Sequence, residues 1–359
     1  MPPSAANLRL ALLVTMALGA VPLVGCELAE DLAQDATSGL FVESHPCSGN
    51  RTDAVHVDSA DTFYVGCGST TNGEGLYVTN DRGSTWESVR DFEAFRVTDI
   101  HRGVDGVLYI SGTGPNGQRV NALEADGSIT RVMEAGTQVW SSFQVGTFVV
   151  RPDGSAIAES LTGSDLAFRP SATAPFEDAY PWWTGPDSYQ VLDATLHEGR
   201  IVGVGSTISQ PPVYFEQDES LSGFKMNDVV LDDNDGELWS IDSDGSNLIL
   251  GGVDQNIDVG VIYWSNSTSD RLNPDGWFAY DLRDLFEEPT WVRGVCRDGD
   301  RMLAVGELTQ TAEGILVESI DGGDTWRNIT PTDAPPLSEC VFAEGRLVVA
   351  GAEGWIGVD

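Results

Sequence analysis

The chain has 359 residues and a formal net charge of −37, with 56 Asp and Glu set against 19 Lys and Arg. Nucleic acid is excluded as a partner, because neutralisation of phosphates by protein cations supplies most of that affinity. Adhesion to anionic lipid by charge alone is excluded on the same ground, and Lys225 is the only lysine.

The first element is an apolar run from Leu10 to Val24, preceded by Arg9. It is too short and too closely followed by acidic residues to be a good membrane span, and it reads as an export signal. The run closes in Leu23, Val24, Gly25 and Cys26, which resembles the lipobox of bacterial lipoproteins. That resemblance implies cleavage before Cys26, attachment of a diacylglycerol to its thiol and a place in the cell envelope, on the periplasmic face or the cell surface. Residues 1–25 are thus the signal peptide. Residues 26–38, acidic and free of aromatics, are an acylated tether.

From residue 39 onward the pattern changes. Short apolar runs end in Gly66, Gly112, Gly205, Gly252, Gly306 and Gly351. They stand roughly 45–54 residues apart, with one double interval between Gly112 and Gly205, in which the weaker run 148–150 sits. Each run follows a polar turn and precedes a second strand-like segment such as 75–79, 212–216, 260–264 or 314–318. Long amphipathic helical stretches are absent. Residues 39–359 are therefore expected to be all-β: a β-propeller of about seven four-stranded blades. The last repeat offers three strands only, and the stretch 39–45 is expected to supply the fourth, closing the ring and leaving no free blade edge.

With Cys26 lipidated, four cysteines remain, and an even number suits disulfides in an exported protein. Three pairings are open. Cys47–Cys67 is favoured because both flank the closing seam. Cys296–Cys340 is favoured because aligning the polar turns 299–301 and 344–346 sets these cysteines nearly opposite each other on neighbouring first strands.

Two stretches are close copies: Thr79, Asp81, Gly83, Thr85 and Trp86 recur as Ser319, Asp321, Gly323, Thr325 and Trp326. They resemble the Asp-box, or BNR, motif of sialidase-like and assembly-factor-like propellers. The residue chemistry is that of a turn: the Asp carboxylate accepts from backbone N–H groups, and glycine supplies positive φ. Weaker versions are expected at 124–131, 159–168 and 215–224. In that family the boxes lie at the blade periphery, so they are read as scaffolding.

Sialidases bind acidic sugars with three arginines and carry an early Phe/Tyr-Arg-Ile-Pro motif. Here the nearest match, Phe168, Arg169 and Pro170, lacks the isoleucine and follows the first box. No catalytic residue is assigned. His45, His56, His101 and His197 are scattered and read as turn or surface residues, with no metal site. No cofactor is expected. Calcium is the one candidate ion, through Asp232, Asn234 and Asp235, but an ordinary solvated connector is the preferred reading. The segment holding Tyr180, Trp182, Trp183 and Tyr189 suits a sugar face or a protein partner, or else a connector whose rings fill the groove between blades. The function expected is a lipid-anchored envelope module that binds a protein or glycan. The alternative is a sialidase-like glycan hydrolase, which would need paired carboxylates on the central axis.

Overall fold

The computed structural model describes residues 44–47, 49–68, 75–114, 117–134, 145–160, 166–178, 189–207, 211–217, 226–231, 235–343 and 345–359. They form a seven-bladed β-propeller within the unit Leu40–Asp359. Each blade is an antiparallel meander whose strands pair in chain order. The first strands are Thr52–Val57, Arg96–Arg102, Val145–Val150, Tyr189–His197, Gly236–Ser243, Thr290–Asp298 and Leu337–Ala343. Each touches the first strands of the blades before and after it, and that of blade 7 touches that of blade 1, so the seven form a closed inner ring.

Blade 7 takes three strands from the C-terminal end, Leu337–Ala343, Arg346–Gly351 and Ile356–Val358. Its outer edge is met by Ser44, whose N–H donates to Ile356 O at 3.0 Å and whose carbonyl accepts from Ile356 N at 2.9 Å. The described end of the expected closing stretch therefore meets blade 7 through a single bridge at Ser44, and residues 39–43 lie outside the described residues. Both favoured disulfides are present, Cys47–Cys67 across the seam and Cys296–Cys340 between the first strands of blades 6 and 7.

Blades are sheets with two apolar faces, so the core is divided. Seven apolar clusters occur among the described residues, one at each blade–blade interface. Phe63 and Val348 meet in the cluster that joins blades 1 and 7, and Ile249 and Met302 in the one that joins blades 5 and 6.

The closing glycines have a steric cause. The first strands carry a β-bulge near their start, between Val97 and Asp99, Val191 and Asp193, Leu238 and Ser240, Val292 and Gly294, and Leu337 and Glu339. A bulge pushes the backbone toward its partner strand. A Cβ on Gly252 would lie 1.9 Å from the Glu237 carbonyl oxygen, and one on Gly306 1.8 Å from that of Trp291. Gly306→Ala is accordingly expected to destabilise the domain by about 3 kcal/mol. Urea unfolding checks this, and an unchanged midpoint would show that the bulge yields freely.

Blade 3 departs from the pattern. Residues 148–150 belong to its first strand, and its second strand, Ala156–Ser160, has no closing glycine. The stretch 159–168 consequently joins second and third strands and is not the counterpart of the two full boxes. Residues 124–131 do occupy that position in blade 2, between the third strand Gly117–Leu123 and the fourth, Ile129–Glu134.

Candidate functional site

The two box turns come first, because the sequence singles them out. In blade 1, Asp81 Oδ1 accepts from Thr85 N at 2.8 Å, and Asp81 Oδ2 accepts from the Thr85 hydroxyl at 2.7 Å. The Thr79 hydroxyl donates to Asp81 Oδ1 and accepts from Gly83 N. Blade 6 repeats every one of these bonds with Ser319, Asp321, Gly323 and Thr325. The Thr85 and Thr325 donors hold the Asp81 and Asp321 carboxyls below the usual carboxylate range. Gly83 and Gly323 have φ of 83° and 100°, where a side chain is strained. Each tryptophan reaches the preceding blade: Trp86 Nε1 donates to Ser44 Oγ at 3.3 Å, and Trp326 lies 5.9 Å from Trp264 and 5.7 Å from Tyr280. The carboxylates thus fasten each turn to itself, and the tryptophans carry the contact to the neighbouring blade.

Tyr189 is the first residue of the first strand of blade 4, paired with Thr207. Tyr180, Trp182, Trp183, Cys26, Asp232 and Asn234 lie outside the described residues. Among the described residues no group of three His, Cys, Asp or Glu could hold a metal ion. Arg169 donates to Gly154 O and stacks over Phe176, so it serves blade 3 itself.

The site that the structure brings together is on the axis. A cavity of about 280 Å³ is walled by residues from the first strands of all seven blades. Its acids are Asp53, Asp99, Asp193 and Glu339, and its other polar groups include His56, His101, Thr147, Ser240 and Arg293. The reading of the histidines as turn or surface residues is thus corrected for His56 and His101, which line the cavity on neighbouring first strands, and for His197, which is buried. His197 ends the first strand of blade 4, where its Nδ1 lies 2.8 Å from Ser243 Oγ.

Why acids stand here follows from the fold. First strands are not paired to one another, so their inner backbone groups need other partners. Asp99 Oδ2 accepts from Phe148 N of the next blade at 2.9 Å, and Asp193 Oδ2 accepts from Ile241 N at 2.9 Å. Asp242 Oδ2 accepts from Arg297 N, and Ser240 Oγ from Val295 N. The Ser338 hydroxyl donates to Thr52 O and carries the series across the seam. Side chains of one blade therefore hold the backbone of the next.

Removal from water dominates the electrostatics. Desolvation raises Asp99 to about 6 and Asp193 to about 7, in spite of the N–H donors that oppose it. Desolvation also raises Glu339 and Glu159, with Asp193 and Asp99 adding like-charge repulsion to both. It lowers His56 to about 3 and His101 to about 4, so both imidazoles are neutral at pH 7. Arg293 is neutralised by Glu307, at 2.7 and 3.0 Å, and its guanidinium lies 4.4 Å from the ring centres of both Trp239 and Trp291. Asp53 is paired with Arg51 and Arg96.

None of these axial residues was singled out by motif. A signal existed, since Thr98, Leu192, Trp239, Arg293 and Ser338 occupy one repeat position, the bulge, and Asp99, Asp193, Ser240 and Glu339 follow it directly.

No protein-family model matches this chain, and no curated protein sequence does. Its fold is that of known propellers. It is similar to YCF48 bound to a D1 peptide, at 13% identity and a TM-score of 0.60, across 89% of this chain and 96% of that one. YCF48 from Cyanidioschyzon merolae matches at 13% identity and 0.63, across 89% and 98%. Virginiamycin B lyase from Staphylococcus aureus matches at 10% identity and 0.63, across 89% and 98%. At such identities the likeness is one of fold.

Proposed function

We propose that this protein is a lipid-anchored propeller of a bacterial cell envelope that binds a protein partner, with the axial cavity as its docking point. The observation that carries the reading is the cavity itself, to which every blade contributes and which holds polar side chains beyond those the ring needs for its own backbone. YCF48, a propeller of the same shape, has been seen with a bound peptide, which supports the analogy. The anchor rests on Cys26 and its lipobox. The turns at 79–86 and 319–326 are read as Asp boxes with a purely structural role. A glycan partner is the other form of the same reading, and the aromatic segment 180–189 is a second candidate contact surface.

A glycan hydrolase is the second reading, favoured by carboxyls whose proton affinity suits a general acid near neutrality. Against it, Asp99 and Asp193 already accept from backbone N–H groups of the adjacent blade, which fixes them as parts of the wall.

Crosslinking in intact cells that express the tagged full-length protein, followed by capture and mass spectrometry, tests the proposal. Wild type is expected to fractionate with membranes and to recover one envelope protein reproducibly. Cys26→Ser should leave the membrane fraction, and Trp239→Ala should lose the partner. Recovery of no enriched protein by wild type would sink the docking reading and favour assays of glycan binding and hydrolysis.

A further inference from the structure

Blades 1, 3, 5 and 6 fill the outer part of a seam in the same way. An aromatic residue stands directly before the fourth strand of each: Trp86 before Glu87–Ser88, Phe176 before Glu177–Asp178, Trp277 before Phe278–Asp281 and Trp326 before Arg327–Asn328. Each ring packs toward the preceding blade. Trp86 joins the apolar cluster that holds Val358, and Phe176 the one that holds Tyr109. Trp277 lies 4.9 Å from Tyr214, and Trp326 lies 5.9 Å from Trp264. In blade 2 the corresponding residue is Ser128, exposed and directly before the strand Ile129–Glu134. The residue before the fourth strand of blade 4 lies outside the described residues. The seam between blades 1 and 2 therefore lacks the ring.

The space it leaves is open. A groove of about 580 Å³ runs there, lined by Tyr64, Val78 and Val89 of blade 1 and by Leu123 and Ile129 of blade 2. Further in, Leu76, Phe92 and Ile110 close the same seam and are buried, whereas the side chains that line the groove are only partly buried. The volume lies within the roughly 300–1,000 Å³ of pockets that take whole small ligands. The rim adds an independent observation. Arg90 borders the groove, and among the described arginines it alone has no hydrogen bond, ion pair or ring contact. In a chain of net charge −37 acids are in large excess over cations. A guanidinium left unpaired at the lip of an apolar groove points to an anion from outside.

We infer that the groove between blades 1 and 2 binds a small aromatic carboxylic acid, whose ring takes the place of the missing aromatic side chain and whose carboxylate pairs with Arg90. Selection of a ring follows from the four seams in which an aromatic side chain fills the same position. Burying a ring there removes apolar surface of both ligand and groove from water. Selection of an anion follows from Arg90, whose planar guanidinium suits a carboxylate. Asp91 also borders the groove and opposes an anion, so its neutralisation strengthens binding. This site is separate from the axial cavity and does not depend on the partner proposed for it.

The test is calorimetric titration of the detergent-solubilised full chain at one detergent concentration. The probes are naphthalene-2-acetate, its neutral amide naphthalene-2-acetamide, and acetate. The aromatic acid is expected to saturate one site, the amide to bind about tenfold more weakly, and acetate not to saturate. Arg90→Gln should weaken the acid by about tenfold and leave the amide unchanged, and Asp91→Asn should tighten the acid. Both residues are exposed, so unchanged melting temperatures are expected to show that these variants are folded. Ser128→Trp supplies the missing ring and should abolish binding of acid and amide alike without lowering the melting temperature. Equal affinity for acid and amide, an affinity untouched by Arg90→Gln or by Ser128→Trp, or no saturation by the aromatic acid would each overturn the inference.

Discussion

Removing the Cys296–Cys340 bridge is expected to cost the propeller about 4 kcal/mol of stability, the loop-closure entropy of a 44-residue loop released in the unfolded chain. The bond joins the first strands of blades 6 and 7, which share no backbone ladder. Both cysteines lie within the apolar cluster formed with Leu303, Leu316 and Leu347, so the replacement has to be apolar. The double variant Cys296→Ala/Cys340→Ala avoids an enclosed free thiol, and its urea midpoint under non-reducing conditions is the quantity to read. The Cys47–Cys67 bridge closes a 20-residue loop and is expected to give about 3 kcal/mol by the same relation. It also pins the chain beside Ser44, the residue that completes blade 7, so its loss should expose the Ile356–Val358 edge to proteolysis before the rest unfolds. A loss under about 1 kcal/mol for the double variant would mean that the apolar clusters between blades hold the ring unaided.

Stability is expected to peak near pH 5 and to fall on either side. Asp193 at about 7 and Asp99 at about 6 bind protons more tightly in the folded chain than a free Asp at 3.8, as do Glu339, Glu159 and Asp242. Their contribution is complete below the unfolded value and is lost as pH rises through the folded one. From pH 8 down to about 5 the folded state therefore gains. His56 and His101 act in the opposite sense. Their folded values, about 3 and about 4, lie below 6.5, so their contribution is present above 6.5 and is lost as pH falls toward the folded values. Five acids outweigh two histidines until the unfolded carboxyls also take up protons, below about 4. There Asp81 and Asp321, whose folded values are depressed, lose their turns as well. The melting temperature at pH 5 should exceed that at pH 8 by on the order of 5 °C. Asp193→Asn should raise the value at pH 8 and flatten the slope above pH 5. A melting temperature that instead climbs from pH 5 to pH 8 would show that water reaches the axis and solvates these carboxyls.

Both predictions turn on the inner ring, and the two were legible to different degrees. The disulfides could be placed because the cysteines lie at fixed phases of a repeat whose turns can be aligned. The acids could not, because Asp99, Asp193 and Glu339 are unremarkable in their own blades and acquire meaning only where blades 2, 4 and 7 converge. His56 and His101 look like isolated strand residues until the neighbouring first strands set them side by side.

The sequence by itself determined the local, repeated features of this protein. Closing glycines such as Gly252 and Gly306 mark where a bulged carbonyl fills the space of a Cβ, and box residues mark turns whose hydrogen bonds span only four residues. Such short-range sterics and bonding are written in consecutive residues, so the strand count, the closure and the blade phase could be read from them. Blade 3 is the exception, because its second strand carries no closing glycine to set the phase. Only the tertiary structure decided the axis. Ring closure brings seven first strands together without backbone pairing between them, partly desolvates the side chains that face the axis, and so raises the proton affinity of acids that lie far apart in the chain.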